Sequence, residues 1–213
     1  MISYWTNHGT IDLSALRPDD LTAPILGEVL ARINRFNGRL PEPWPVAAHS
    51  VLVERLCPPD LGPWALLHDA HEAFIGDITS PAAELIGEIG GPAASRAIER
   101  TKGRLDHIIG AAWNTQVRSM NVHLRRADLL AASAEAFVFM GTAPQRLPWA
   151  DSDIFDAAVC FLHAIPPGRD WRWACDIWLE RIQHHARLGR LSPPVAQTTD
   201  PAETGVFDPN QGV

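Results

Sequence analysis

Cysteine is scarce and unpatterned. Cys57, Cys160 and Cys175 are odd in number and share no CxxC spacing, so neither a disulfide framework nor a thiolate zinc site is expected, and a reducing cytoplasm is the expected compartment. No apolar run approaches the roughly 18 residues a membrane span needs, and the segment Met1-Ile2-Ser3-Tyr4-Trp5 is no charged lead to an apolar stretch. Neither a membrane span nor a secretory signal is expected. Positive charge is also short. With 25 acidic against 18 basic residues and a net charge of −7, an extended nucleic-acid surface is excluded, because binding a phosphate backbone needs a basic face. Small anions can still bind locally. Lys102 is the only lysine; this reads as coding bias, although arginine also suits phosphate recognition.

The 213 residues, 46% of them hydrophobic, fit one sizeable domain, or a domain with a tail, and exclude wholesale disorder. The expected class is all-α, a compact helical bundle after a short irregular or extended lead-in over the first twenty residues. Ile25, Leu26, Val29, Leu30 and Ile33 recur at helical spacing until Gly38, which predicts a helix over 21–38. Further helices are expected over 45–56, 60–75, 81–90, 93–113, 122–140, 154–163 and 171–188, punctuated by Pro58-Pro59, Gly76, Gly90-Gly91-Pro92 and similar breakers. Residues 1–191 read as a single domain. The Pro- and Gly-rich stretch 192–213 reads as a disordered tail.

The informative residues are polar ones that interrupt apolar helix faces. His49 shares a face with Val46, Leu52, Val53 and Leu56; alone it reads as a core histidine bonded to a carbonyl. His68, Asp69 and Glu72 lie within Trp64-Ala65-Leu66-Leu67-His68-Asp69-Ala70-His71-Glu72-Ala73-Phe74-Ile75, with His68 and Glu72 one turn apart. With nine His in the chain, about 0.6 His-Asp dipeptides arise by composition alone, so the dipeptide carries little weight. What carries weight is adjacent titratable groups in a buried-looking helix, each costly unless paired or metal-bound. Asp128 shares a face with Leu124, Ala131, Ala132 and Glu135, and alone reads as a surface partner of Arg125 or Arg126. Together His49, His68, Asp69 and Asp128 make an N2O2 set suited to a divalent transition metal with positions left open. The residues by themselves leave the bland and the metal readings both open.

The ordered pattern His49, then His68-Asp69, then Asp128 resembles the HD-domain metal-dependent phosphohydrolases. The surroundings extend the likeness: Arg35-Phe36-Asn37-Gly38, Val46-Ala47-Ala48-His49-Ser50, the run from Leu66 through Gly76-Asp77, and Arg126-Ala127-Asp128. They are similar to the compact phage and prophage HD hydrolases and to bacterial HD-type 5′-deoxynucleotidases, over roughly residues 6–140. Arg39 stands where compact relatives often carry His, and Trp44-Pro45 where they often carry an aromatic and Ser.

The resemblance implies an enzyme of the HD bundle type. His49, His68, Asp69 and Asp128 would hold one divalent ion, with Mn, Fe, Co, Ni or Zn compatible. Glu72 would exchange a proton with the attacking water or the leaving oxygen. Asp77 would orient the sugar or assist the leaving group, although as a bare feature it suits a cap for the next helix. Arg35 would clamp phosphate and Phe36 would pack on sugar or base, against a plain exposed arginine and a core phenylalanine. The expected reaction is phosphate release from (deoxy)nucleoside 5′-monophosphates. The alternatives are a deoxynucleoside triphosphate triphosphohydrolase, or an inactive HD module that binds nucleotide or a protein partner. His71 is not expected among the ligands, His184-His185 reads as a solvated pair, and Trp171, Trp173 and Trp178 read as anchors of the last helix to the core or to a second copy in a homodimer.

Overall fold

The computed structural model describes residues 2–6, 9–147 and 152–196. The lead-in is an antiparallel hairpin of β1 (Ser3–Thr6) and β2 (Gly9–Asp12), in register Ser3 with Asp12 and Thr6 with Gly9. A 3-10 turn at Pro18–Leu21 follows. The longer elements among the described residues are helices: α1 (Ala23–Leu30), α2 (Val46–Leu56), α3 (Gly62–Leu67), α4 (Glu72–Ile75), α5 (Ser80–Ala112), α6 (Val122–Met140), α7 (Asp153–His163) and α8 (Trp171–Arg187). The class is all-α. No helix among the described residues is long and apolar enough to cross a membrane.

Two expected helices are shorter than their apolar spacing suggests. The helix expected over 21–38 ends at Leu30. Beyond it the backbone pairs with the segment before α2: Arg35 N–H donates to the Trp44 carbonyl and Val46 N–H to the Ile33 carbonyl, both at 2.9 Å. The loop so closed turns back through Phe36 (φ 56°), Asn37 (φ 53°) and Gly38 (φ 66°). A left-handed conformation at a bulky residue costs about 1–3 kcal/mol and persists only where its surroundings hold it. The helix expected over 60–75 divides into α3 and α4. His68 and His71 keep helical angles, but Ala70 N–H donates to Leu67, Glu72 to Asp69 and Phe74 to His71, which is i→i+3 winding. That tighter turn eclipses residues three apart. The pair expected over 81–90 and 93–113 is present as the two segments of α5, separated where expected, at Gly91, whose angles are not helical (φ 69°, ψ −173°), before Pro92.

Helix α2 is the centre of the core, buried from Val46 through Glu54 and packed by α1, α3, α6 and α8. Three indoles seal the bundle. Trp64, Trp113 and Trp178 are each no more than 1% exposed, Trp113 donating to the Leu21 carbonyl and Trp178 to the Leu66 carbonyl. These acceptors offset the cost of burying an indole N–H in the core. Trp178 thus anchors the last helix. Trp171 lies outside this cluster, under the Arg32 guanidinium.

The pairing of α2 with α8 also corrects one expectation. His185 is not solvated. It is 2% exposed, and its Nε2 lies 2.9 Å from Glu54, which also accepts two bonds from Arg181. Gly62 permits this approach, since a Cβ there would come within 2.7 Å of the His185 ring. At the far end Leu191 is buried and Ser192 N–H donates to the Trp113 carbonyl. The expected tail beyond residue 196 lies outside the described residues.

Candidate metal centre

Three helical segments and one loop deliver the charged side chains. α2 supplies His49, wholly buried. The tight turn between α3 and α4 supplies His68, Asp69 and His71, and α4 opens with Glu72. α6 supplies Asp128 and, two turns on, Glu135, while the closed loop after α1 supplies Arg35. The small residues Ala127, Ala131 and Ala134, at or near zero exposure on α6, let α2 come close enough for this convergence.

Each imidazole is oriented through one nitrogen. His49 Nδ1–H donates to Glu135 Oε1 at 2.7 Å, and His68 Nδ1–H to the Ala65 carbonyl at 2.8 Å. Both bonds leave Nε2 facing the site, the arrangement a metal-binding histidine requires. His49 Nε2 is 3.0 Å from Asp128 Oδ1 and 3.8 Å from Asp69 Oδ2. His68 Nε2 is 3.1 Å from Asp69 Oδ2 and 3.9 Å from Asp128 Oδ1. Ligands about 2.1 Å from a shared ion stand roughly 3.0 Å apart at right angles and about 4.2 Å apart when opposed. All four separations fall in that window. His68 Nε2 is buried with no aligned hydrogen bond, although Asp69 is so near. His49 Nε2 and Asp128 Oδ1, by contrast, are aligned as a hydrogen bond at 3.0 Å. The donor set therefore fits a divalent cation.

The electrostatics agree. Burial and Arg35 act to lower the His49 pKa, yet Glu135 and Asp128 outweigh them and raise it. Burial acts the same way on His68, but Asp69 and Asp128 lift it to about 9. Against its own burial, Asp69 is held well below the usual carboxylate range by His68 and His49. Asp128 is lowered likewise, through His49 and His68. A cluster that draws protons onto its imidazoles has a surplus of negative charge for a cation to neutralise. The opening is on one side. The Asp128 side chain is 40% exposed, whereas that of His49 is 0% exposed and that of His68 8%.

The remaining expected residues border this centre. Glu72 is 5% exposed, and burial, then Asp69 and Asp77, push its pKa up to about 9. i→i+3 winding brings Glu72 beside Asp69, as expected, and His68 acts on it as well, opposing the rise. Asp77 is half-buried, and burial raises its pKa with Arg35 opposing and Asp69 adding. It does not cap the next helix, whose N-cap is Thr79. Arg35 is not an exposed arginine. Its Nε donates to Glu135 at 3.0 Å and its Nη1 lies 3.8 Å from Asp69. Phe36 is half-buried, 5.6 Å from the Arg35 guanidinium.

Two functional-looking groups were not singled out from sequence. Glu135 is wholly buried between His49 and Arg35, which hold its pKa down against burial. Its signal was present as the acid seven residues after Asp128 on the same helical face. The second is a buried chain behind His71. Asp106 Oδ1 is 2.9 Å from His71 Nδ1, Ser119 donates to Asp106 Oδ2 at 2.8 Å, and Trp64 donates to Ser119 at 3.2 Å. One ligand atom each of His49, His68 and Asp128 lies within 4.8 Å of the others, and the same holds for Asp69, His71 and Glu72.

No protein-family model matches the sequence. Over 120 residues the chain is 28% identical to "Uncharacterized protein YfdR" of Escherichia coli (strain K12), a match covering 56% of this chain and 62% of that protein. The chain thus spans less than two thirds of the length of that relative.

Proposed function

We propose that the chain is an HD-domain phosphohydrolase that releases phosphate from (deoxy)nucleoside 5′-monophosphates. The observation that carries the reading is the convergence of His49, His68, Asp69 and Asp128, from three separate helical segments, on ligand-like separations, with Glu72 and Arg35 beside them. A divalent ion held there supplies Lewis acidity toward a phosphoryl oxygen and acidifies a water. Arg35, its Nε tethered to Glu135, offers its terminal nitrogens to the phosphate. Glu72, kept protonated by burial and by Asp69, donates to the leaving ester oxygen and afterwards recovers a proton. Asp77 lies near enough to feel Arg35 and Asp69 and suits a sugar hydroxyl at the mouth. Phe36 supplies an apolar wall for the sugar or base.

The test is a phosphate-release screen over nucleoside mono-, di- and triphosphates with Mn, Fe, Co, Ni and Zn. Orthophosphate plus nucleoside from monophosphates is the expected result. Inorganic triphosphate plus nucleoside would identify a triphosphohydrolase instead, and nucleotide binding without turnover a regulatory module.

A further inference from the structure

We propose that Arg169, in the loop between α7 and α8, is a positioning residue that locks the α1–α2 loop carrying Arg35 and Phe36. This rests on the phosphohydrolase reading, in which Arg35 meets the phosphate.

Arg169 is buried where its neighbours are not. Pro166, Pro167, Gly168 and Asp170 are exposed, yet the Arg169 side chain is 7% exposed. Gly168, left-handed at φ 67°, makes the turn that this requires. The Arg169 guanidinium carbon lies 5.5 Å from the Trp44 ring centroid, 5.9 Å from that of Phe139 and 5.6 Å from that of Trp173. The α1–α2 loop, α6 and α8 thus wall a single charge. A guanidinium is weakly hydrated and is attracted to ring faces, which lets it sit among them. Its Nη1 donates to Glu42 on the same loop at 3.4 Å. Glu42 is 61% exposed, so the ion pair alone is a weak hold. A neighbouring contact grips the start of the loop, with the Arg32 guanidinium carbon 4.1 Å from the Trp171 ring centroid. The segment 169–173 therefore holds the α1–α2 loop at both ends.

What the lock secures is Arg35. The Trp44 carbonyl accepts the Arg35 N–H, so the backbone of the clamped residue is bonded to that of the phosphate ligand. Burial raises the pKa of Glu135, which tethers Arg35 Nε; Arg35 and His49 lower it, and the Trp44 indole adds to them. Trp44 lies between Arg169 and both attachments of Arg35. The loop also needs holding, because Phe36, Asn37 and Gly38 are successive left-handed residues, a conformation that persists only where its surroundings impose it. Without the Arg169 charge the loop relaxes and Arg35 leaves its place, while the ligands on α2, α6 and the α3–α4 turn keep theirs.

The experiment compares the native full chain with Arg169→Met, Arg169→Lys, Arg35→Ala and the Arg35→Ala/Arg169→Met double variant. Each is loaded with Mn(II) and read in steady-state hydrolysis of 2′-deoxynucleoside 5′-monophosphates and in amide hydrogen exchange. Arg169→Met keeps an apolar stem among the rings and drops the charge. It raises KM about tenfold, with kcat within about threefold of native and Mn(II) affinity unchanged. The Arg35 and Val46 amides, which close the loop, exchange about tenfold faster, while those in the middle of α2 and α6 do not change. Arg169→Lys keeps the charge but not the planar fork, and raises KM about threefold. In the Arg35→Ala background the change at Arg169 moves KM less than about twofold, because both act through one group. A native KM in Arg169→Met, or in Arg169→Lys should the methionine variant not fold, overturns the proposal and leaves the phosphohydrolase standing. Full additivity with Arg35→Ala also overturns it. No phosphate release by the native chain removes both readings.

Discussion

His49 and Glu135 stand 86 positions apart in sequence, yet their side chains meet at 2.7 Å with neither exposed to solvent. The carboxylate takes the Nδ1 proton and so aims Nε2 at Asp128 and Asp69. A buried charge is tolerated there because Arg35 closes the other side of Glu135 at 3.0 Å. The relationship links the α1–α2 loop, α2 and α6 in one hydrogen-bonded unit behind the candidate centre.

Glu135→Gln tests that linkage. The amide can donate to His49 and turn its lone pair away from the site, so metal affinity falls about 10–100-fold with the ligands untouched. Isothermal titration of native and variant protein with Mn(II) or Zn(II) reads the loss directly. An unchanged affinity would mean that Glu135 serves only the fold.

Metal binding carries a pH signature. His68, lifted to about 9 by Asp69 and Asp128 against its burial, holds a proton at neutral pH in the ion-free protein. An ion must displace it. Affinity therefore rises as pH rises from 6 toward 9, with proton release measurable as a dependence of the binding heat on the buffer. Flat affinity across that range would contradict the charge balance of the cluster.

Glu72→Gln keeps the ligand set of the centre and removes a proton carrier. Metal content at one equivalent stays native, while kcat falls about 10²–10⁴-fold. Metal analysis beside steady-state phosphate release separates the two effects, and a native kcat would take Glu72 out of the reaction.

Much of this centre is legible from sequence because its residues break apolar faces: His49 among Val46, Leu52 and Val53, and His68-Asp69 after Ala65-Leu66-Leu67. Helix α6, expected over 122–140, has those bounds because Asn121 caps one end and Gly141 turns left-handed at the other. The misses share one cause. Apolar periodicity reports which side of a segment is buried, not how tightly it winds or where it stops. The spacing of Leu30 and Ile33 continued past the true end of α1, where pairing of Ile33 and Arg35 with Val46 and Trp44 ends the helix. A uniform helix through His68 and Glu72 likewise concealed the tighter turn between α3 and α4. Glu135, Asp106 and His185 are not legible because their partners are distant in sequence; the helix of His185 offers no carboxylate at ligand spacing, and Glu54 is 131 positions away.

Stability has its own charged test, away from the centre. Burial alone would raise the Glu54 pKa, but His185 and Arg181 outweigh it and hold the carboxyl below its ordinary value. A depressed folded pKa contributes stability that is present above about pH 4.5 and lost as pH falls through the lowered value. Glu54→Gln costs ~2–3 kcal/mol at pH 7, read as a melting temperature several degrees lower. The gap between native and variant narrows below pH 4. A gap independent of pH would assign the loss to packing.

The proposed centre brings four side chains from three separate helical segments around one cation. Anomalous diffraction from crystals of the Mn(II)-loaded protein addresses it most directly. A peak is expected about 2.0–2.2 Å from His49 Nε2, His68 Nε2 and one oxygen each of Asp69 and Asp128, and it disappears in Asp69→Ala. Loaded crystals with no anomalous density among those atoms, or with the ion bound elsewhere, would contradict it.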